Sequence, residues 1–145
     1  MELPVYVTLE EVQRVCKLLG IRDWTQLTDT KVLPEEARVI LAEINPEGMD
    51  IDLERFRMGL EVELEHGTQF KDANVTNNHP ILTGKIVIAH FKEMLDYYER
   101  LEVAELEGDL LKALLAKNTA KIESYYKRLL KAKQALVESE MADLK

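Results

Sequence analysis

The feature that most constrains the fold is an apolar pattern with helical spacing through the second half of the chain. From Pro80 as far as Leu136, apolar residues recur every three or four positions, and the pattern is reset only near Asn118. Residues at this spacing share one face of an α-helix, whereas a half-buried strand needs strict alternation. The sequence therefore predicts a long helix after Pro80, with a bend allowed near residues 95–96, and a last helix after Asn118. Together these two elements form a C-terminal helical hairpin.

Shorter helices are predicted in the first half from residues typical of helix ends. Thr8 is followed three positions later by Glu11, which is the capping-box spacing, and Gly20 follows the last apolar position. These residues predict a helix over about residues 9–19. Pro34 is well placed to start a second helix, which we expect over residues 35–44. One short turn is expected at Trp24, in the segment between the two helices.

A third helix is predicted from Asp52 to His66, with Gly67 as the C-terminal glycine. Gly59 lies on the apolar stripe of this helix, where a glycine costs roughly 1 kcal/mol relative to alanine, so we expect close approach by a neighbouring helix. Residues 67–79 are polar and without periodicity, and we expect an ordered loop. An extended start is considered only for residues 4–7, so the predicted class is all-α, a single-domain helical bundle ending in the hairpin.

Composition narrows the class of function. The chain has 145 residues, of which 46% are apolar and 32% are charged, as expected for one folded domain of amphipathic helices. Its net charge of -8 opposes binding to nucleic acid or anionic lipid. A signal peptide and a membrane span are not recognisable, so we expect a cytoplasmic protein. Cys16 stands alone at an apolar position, and we expect a buried structural thiol.

Two pairs of carboxylate and imidazole are the most informative chemical feature. Glu63 and His66 are spaced i,i+3 on the third helix, and His90 and Glu93 have the reversed order on the next one. Residues three apart lie on one helix face, so two packed helices could bring all four side chains to one point. Carboxylate and imidazole suit Zn(II), Fe(II) or Mn(II). His79, at the end of the loop between these helices, is a fifth candidate ligand.

Other interpretations of the same residues stay open. A di-iron bundle would need two similarly directed Glu-x-x-His motifs and further carboxylates, so a single-metal site is the better hypothesis. Alternatively, Glu63 pairs with His90 and Glu93 with His66 in a buried polar clamp without any metal, in a structural or protein-interaction module. Acid–base catalysis is a third interpretation, and neither a substrate nor a reaction is indicated.

A family resemblance is carried by residues 56–67, 74–93 and 96–98. They contain Glu-His-Gly, Val-Thr-Asn, Leu-Thr-Gly-Lys-Ile, His-Phe-Lys-Glu and Asp-Tyr-Tyr. On these residues the chain resembles an uncharacterised family of bacterial, archaeal and phage proteins. The resemblance implies that residues 52–103 form a family-like core, that residues 22–51 are an insertion, and that residues 104–145 are a helical extension.

The resemblance also implies that His66, His90, Glu93, Asp96 and Tyr98 matter, either for a site or for packing. Asp96, Tyr97 and Tyr98 are expected to support the site from just beyond the metal ligands, and the register of Tyr97 would allow a hydrogen bond to Glu93. The long apolar faces of the C-terminal helices predict a homo-oligomer.

Overall fold

Every regular element is helical in the residues that the structure, a computed structural model, describes, which are 5–45 and 48–144. This confirms the all-α prediction. The described residues form two short 3-10 helices, Trp24–Gln26 and Lys71–Ala73, and six α-helices: α1 (Leu9–Leu19), α2 (Pro34–Ile44), α3 (Leu53–Gln69), α4 (Pro80–Glu93), α5 (Tyr97–Leu115) and α6 (Thr119–Asp143). The extended start considered for residues 4–7 lies partly outside the described residues, and residues 5–7 form no strand.

The chain divides into two compact units, Met1–Glu93 and Met94–Lys145. The first contains α1 to α4, and the second contains α5 and α6. The predicted arrangement as one domain, with residues 22–51 inserted, stays a prediction. None of the helices described in either unit is long and apolar enough to cross a lipid bilayer.

The core of the first unit lies where α2, α3 and α4 pack against one another. Ile40, Phe56, Leu60 and Val87 are completely buried there. Gly84 of α4 lies directly against α2, because a Cβ atom added to Gly84 would lie 2.6 Å from Ile44 Cδ1 and 2.9 Å from Ile40 Cγ2. This close helix contact lies at Gly84 of α4, whereas the close approach predicted at Gly59 stays a prediction. Gly59 of α3, for which we made the prediction, is also buried.

The ends of α1 follow the sequence prediction. Thr8 accepts a hydrogen bond from the backbone N–H of Glu11, and Gly20 has the left-handed backbone conformation, φ 67°, that favours glycine. The Glu11 carboxylate, however, binds the guanidinium of Arg14 at 2.7 Å rather than completing the predicted capping box. Trp24 begins the short turn that was expected after α1.

Helix α3 is longer than predicted, and Gly67 lies inside it rather than at its C-terminal cap. The helix continues to Gln69, and the backbone N–H of Phe70 donates to the carbonyl of His66. The side chain of Asn74 donates to the Gly67 carbonyl at 3.3 Å. The loop that follows supplies this contact, so the helix end depends on a residue that lies beyond the apolar stripe.

The helix predicted to bend near residues 95–96 is broken into α4 and α5. Backbone N–H of Tyr97 donates to the carbonyl of Met94, and Asp96 takes the cap position, where its carbonyl accepts from the N–H of Arg100. The Asp96 carboxylate also binds the guanidinium of Arg100 at 2.7 and 3.0 Å. This ion pair favours a new helix start where the apolar periodicity alone predicted continuity.

The second unit is the predicted helical hairpin, in which α5 packs closely against α6. Leu106, Leu129 and Ala132 form its buried core. Asn118 caps α6 as predicted, with its side chain accepting from the N–H of Lys121 at 3.1 Å. The apolar stripes of α5 and α6 therefore face inward at Leu106 and Leu129, as the spacing predicted, whereas Leu114 at the end of the α5 stripe is 51% exposed.

Candidate functional site

Glu63 of α3 and His90 of α4 form the one part of the predicted constellation that comes together. His90 Nε2 lies 3.5 Å from Glu63 Oε1, and the two side chains are 27% and 14% exposed. This distance is longer than a typical direct hydrogen bond, and the contact is an ion pair only when the imidazole is protonated. The pair therefore provides a half-buried polar contact between two packed helices.

His66 and Glu93, the other members of the two pairs, are exposed. Among residues 5–45 and 48–144, no group of three or more His, Cys, Asp or Glu side chains is arranged to hold a metal ion. A single Zn(II) site normally requires three or four protein ligands. The geometry thus gives no support to the metal-binding hypothesis, and it provides only the Glu63–His90 half of the predicted clamp.

His79, the proposed fifth ligand, has a structural position at the start of α4. Its carbonyl accepts the first helical hydrogen bond, from Thr83, and its Nδ1 lies 3.2 Å and 3.4 Å from the backbone nitrogens of Ile81 and Leu82. The side chain is buried, and burial lowers its pKa below the ordinary value of 6.5. A neutral imidazole can accept at Nδ1, so His79 acts as the N-terminal cap of α4.

The three residues predicted to support the site, Asp96, Tyr97 and Tyr98, belong to the second compact unit. The Asp96 carboxylate is bound by Arg100 in the same unit. The rings of Tyr97 and Tyr98 meet edge to face, with centroids 5.1 Å apart. Their predicted role beside the Glu and His residues stays a prediction.

Glu36 is a buried charged residue that the sequence analysis missed. It is 1% exposed, and its carboxylate accepts hydrogen bonds from the backbone N–H and guanidinium of Arg22, the N–H of Leu33 and the indole of Trp24. The shortest of these is 2.7 Å, to Arg22 Nη2. A signal was present in the sequence, because Glu36 occupies the same i,i+4 stripe as the buried Ile40.

The balance of effects on Glu36 favours its charged form. Burial raises the pKa of the carboxyl group, but the Arg22 guanidinium and the Leu33 N–H lower it, and the result is a pKa below the ordinary value. Glu36 therefore stabilises the segment between α1 and α2 as a buried anion with several donors. Nothing in this arrangement leaves the carboxylate available for chemistry.

Cys16 is buried, as expected for a structural thiol. Its Sγ accepts a long hydrogen bond, 3.5 Å, from the backbone N–H of Trp24. Burial raises the pKa of the thiol, which disfavours the reactive thiolate.

The fold and the Glu63–His90 contact together describe an all-α protein in which residues 5–45 and 48–144 contain no group of metal-ligating side chains arranged to hold an ion. A comparison with protein families identifies the group to which it belongs. The chain is a member of the family described as "Protein of unknown function (DUF5661)", which matches residues 12–107. The match includes most of α1, all of α2 to α4 and part of α5. Neither the curated proteins nor the solved structures gave a match.

Proposed function

We propose that this protein is an interaction module that associates with a second copy of itself through the α5–α6 hairpin. The observation that carries the proposal is a stripe of exposed apolar residues on α6 and on the residue that caps its C-terminus. Its members are between 51% and 88% exposed: Tyr126, Leu130, Val137, Met141 and Leu144. They follow one another at spacings of four, seven, four and three residues, which keeps them on one helix face. This outer stripe is what a second helix would need for packing.

The outer stripe is separate from the face that holds the hairpin together. Leu129 and Ala132 of α6 are buried against α5, together with the partly buried Tyr125. A helix of a simple two-helix hairpin needs only that one apolar face. A second stripe of large apolar residues has no use within the hairpin, and such surfaces typically mark sites of protein association.

Helix α5 contributes a matching exposed surface. Leu111 and Leu115 are 58% and 77% exposed, and Ala104 and Gly108 continue their row at spacings of three and four residues. A Cβ atom added to Gly108 would meet nothing within 4 Å. Small residues in such a row allow another helix to approach closely, so α5 can accept the larger side chains of α6 from a second copy.

The charges of α5 are complementary to those of the first part of α6, although residues 134–143 add three acidic residues. One such pair, Lys133 with Glu107 at 2.7 Å, already forms within the hairpin. Helix α5 has five acidic and two basic residues, whereas residues 119–133 of α6 have five basic and one acidic. Placing α5 of one copy against α6 of another would bring opposite charges together. This complementarity favours a second copy of the chain as the partner, since each copy supplies both surfaces.

The expected association is weak. Burying a large apolar side chain contributes at most roughly 1.5–3 kcal/mol, so the outer stripe contributes on the order of 10 kcal/mol. Association costs about 4–15 kcal/mol in lost freedom. We therefore expect dissociation constants around the micromolar range or weaker.

The first unit has a structural role in this proposal. The Glu63–His90 contact links α3 and α4 as a polar contact between packed helices. A resident metal is not part of the proposed function.

Sedimentation velocity over a wide range of protein concentration tests the proposal. We expect the sedimentation coefficient of the unmodified protein to rise with concentration, and Leu130→Glu to abolish the rise because it places a charge in the outer stripe. Ala135→Glu is the matched control, since it adds the same charge at an exposed position of α6 away from the stripe. A protein that stays monomeric at every concentration, or equal effects of the two variants, would contradict self-association.

A further inference from the structure

A polar cavity of about 450 Å³ lies in the first unit, between the segment after α1 and the loop after α3. Its walls include side chains from both segments: Thr28, Thr68, Lys71, Asn74, Asn77 and Asn78. Ligand sites in proteins commonly have volumes of about 300–1,000 Å³. The volume is therefore sufficient for a small organic molecule, and the lining indicates a hydrophilic one.

The amide of Asn78 is held in one orientation with its donor end unused. Asn74 Nδ2 donates both to the Gly67 carbonyl and to Asn78 Oδ1, at 3.3 and 3.0 Å. Because a carbonyl can only accept, the first bond fixes the Asn74 amide, and the second then fixes Asn78. Asn78 is 9% exposed, and its Nδ2 donates to none of the residues in 5–45 and 48–144. The Asn78 Nδ2 group therefore has no acceptor among these residues and is available to a bound molecule.

Gly67 is the residue that permits this arrangement. A Cβ atom added there would overlap Asn78 Oδ1 and lie 2.9 Å from the Asn74 amide. Any larger residue would push the two asparagines apart. The glycine thus allows the backbone of α3 to lie directly against the asparagine pair that lines the cavity.

Asn77 offers the complementary group. Its Nδ2 donates to the Val7 carbonyl at 2.6 Å, which fixes the amide, and its Oδ1 accepts no hydrogen bond within the described part of the chain. Asn77 and Asn78 both have left-handed backbone conformations, with φ 49° and 59°, which asparagine tolerates better than most residues. The two neighbouring side chains thus present one free acceptor and one free donor to the same cavity.

Lys71 adds a positive charge to the lining, and Thr28 adds a hydroxyl group. The lining contains no acidic residue. This is notable in a protein with a net charge of -8. A lysine ammonium group binds carboxylate or phosphate oxygens, whereas hydroxyl groups of a ligand can both donate to Asn77 and accept from Asn78.

We infer that this cavity binds a small hydroxylated anion the size of a monosaccharide acid or monosaccharide phosphate. The hydroxyl groups bind between Asn77 Oδ1 and Asn78 Nδ2, and the anionic group binds Lys71. The cavity lies in the first unit, so this inference does not depend on self-association of the hairpin.

Two-dimensional ¹H–¹⁵N NMR of the full chain tests the inference, because it detects backbone and side-chain amides separately. Glucose 6-phosphate and gluconate are titrated as the hydroxylated anions, with glucose and inorganic phosphate as partial probes. We expect at least one of the two hydroxylated anions to shift the Gly67 and Asn78 signals saturably. The comparison between them distinguishes a phosphate from a carboxylate as the preferred anion.

Two variants identify the groups that bind. Lys71→Gln removes the positive charge. Asn78→Asp keeps an acceptor for Asn74 but replaces the free donor with an oxygen and adds a negative charge, and both changes disfavour an anion there. Each should weaken binding about tenfold or more, whereas Lys17→Gln, a charge-matched change at an exposed α1 position, should leave it unchanged. The inference is wrong if neither hydroxylated anion gives saturable shifts, if inorganic phosphate alone reproduces them, or if both cavity variants bind as the unmodified protein does.

Discussion

Replacing Glu36 with alanine should be among the most destabilising single changes in the first unit. The side chain is 2% exposed and receives hydrogen bonds from three residues that connect α1 to α2. Truncation at Cβ removes the acceptor and leaves the donors in place. The loss therefore includes desolvation of the remaining donors as well as the bonds themselves.

The size of the destabilisation depends on how well water can hydrate each donor once the carboxylate is removed. The Leu33 N–H, at 2.9 Å, loses a good charge-assisted bond, and an unsatisfied buried donor costs about 1–3 kcal/mol. The indole N–H of Trp24 makes a longer hydrogen bond, 3.4 Å, so losing this bond should cost about 1 kcal/mol, at the lower end of that range. The Arg22 side chain is 39% exposed and can be rehydrated, which limits its share to about 1 kcal/mol or less. The expected total is about 3 kcal/mol.

Urea unfolding followed by tryptophan fluorescence measures this effect, since Trp24 is the single tryptophan and is buried in the first unit. With an m-value of about 1–3 kcal/mol per molar, the midpoint should fall by roughly 1–3 M. Glu35→Ala is the control, because Glu35 is the exposed neighbour in the same first helical turn. Its loss should cost only about 0.3–1 kcal/mol through the helix dipole.

The difference in stability between the unmodified protein and Glu36→Ala should also depend on pH. The folded-state pKa of Glu36 lies below the ordinary value of 4.5, so its stabilisation is fully present above that value and is lost as the pH falls through the folded pKa. The unmodified protein and Glu36→Ala should therefore converge in acid. If Glu36→Ala lowers the midpoint no more than Glu35→Ala at neutral pH, the structural reasoning fails.

Three further predictions concern helix packing in each of the two units and helix capping in the first. Gly84→Ala should destabilise the first unit by about 1–2 kcal/mol in the same urea assay, because overpacking against Ile40 outweighs the gain in helix propensity. Gly108 of α5 faces open space, so Gly108→Ala should instead stabilise α5 by up to about 1 kcal/mol. Unfolding of this variant is followed by circular dichroism. A stabilising Gly84→Ala would contradict the close helix contact. Because the pKa of His79 is lowered in the folded protein, the unmodified protein should lose stability as the pH falls from about 7.5 to about 5.5. His79→Asn retains a cap without an ionisable group, so this variant should lose less stability over the same range. An identical pH dependence for the two proteins would exclude His79 as the cause.

The helices were predictable because the features that define them are local. Thr8, Gly20, Pro34 and Asn118 lie at or beside the helix ends as their residue types predict. The errors fall where a helix end depends on a side-chain contact that the apolar periodicity does not show. Asn74 supports the extra turn of α3 beyond Gly67, and an ion pair at Asp96 replaces the expected bend with a break.

The candidate site was predictable only in part. The i,i+3 spacing correctly placed Glu63 and His90 near each other on packed helices, since both lie on faces that α3 and α4 share. It could not determine how far each helix is rotated about its axis, and His66 and Glu93 are exposed as a result. Likewise, His79 was recognisable as a residue at a helix start, but its capping contact depends on the loop geometry before Pro80.

By itself, the sequence determined the helical class, most of the helix boundaries and the presence of the C-terminal hairpin. These follow from periodicity and capping, in which each residue acts on neighbours within a few positions. Only the tertiary structure decided which polar side chains come together, as for Glu36 with Arg22 and for Glu63 with His90. Such contacts depend on the distance and rotation between elements, and no local pattern of residues specifies either.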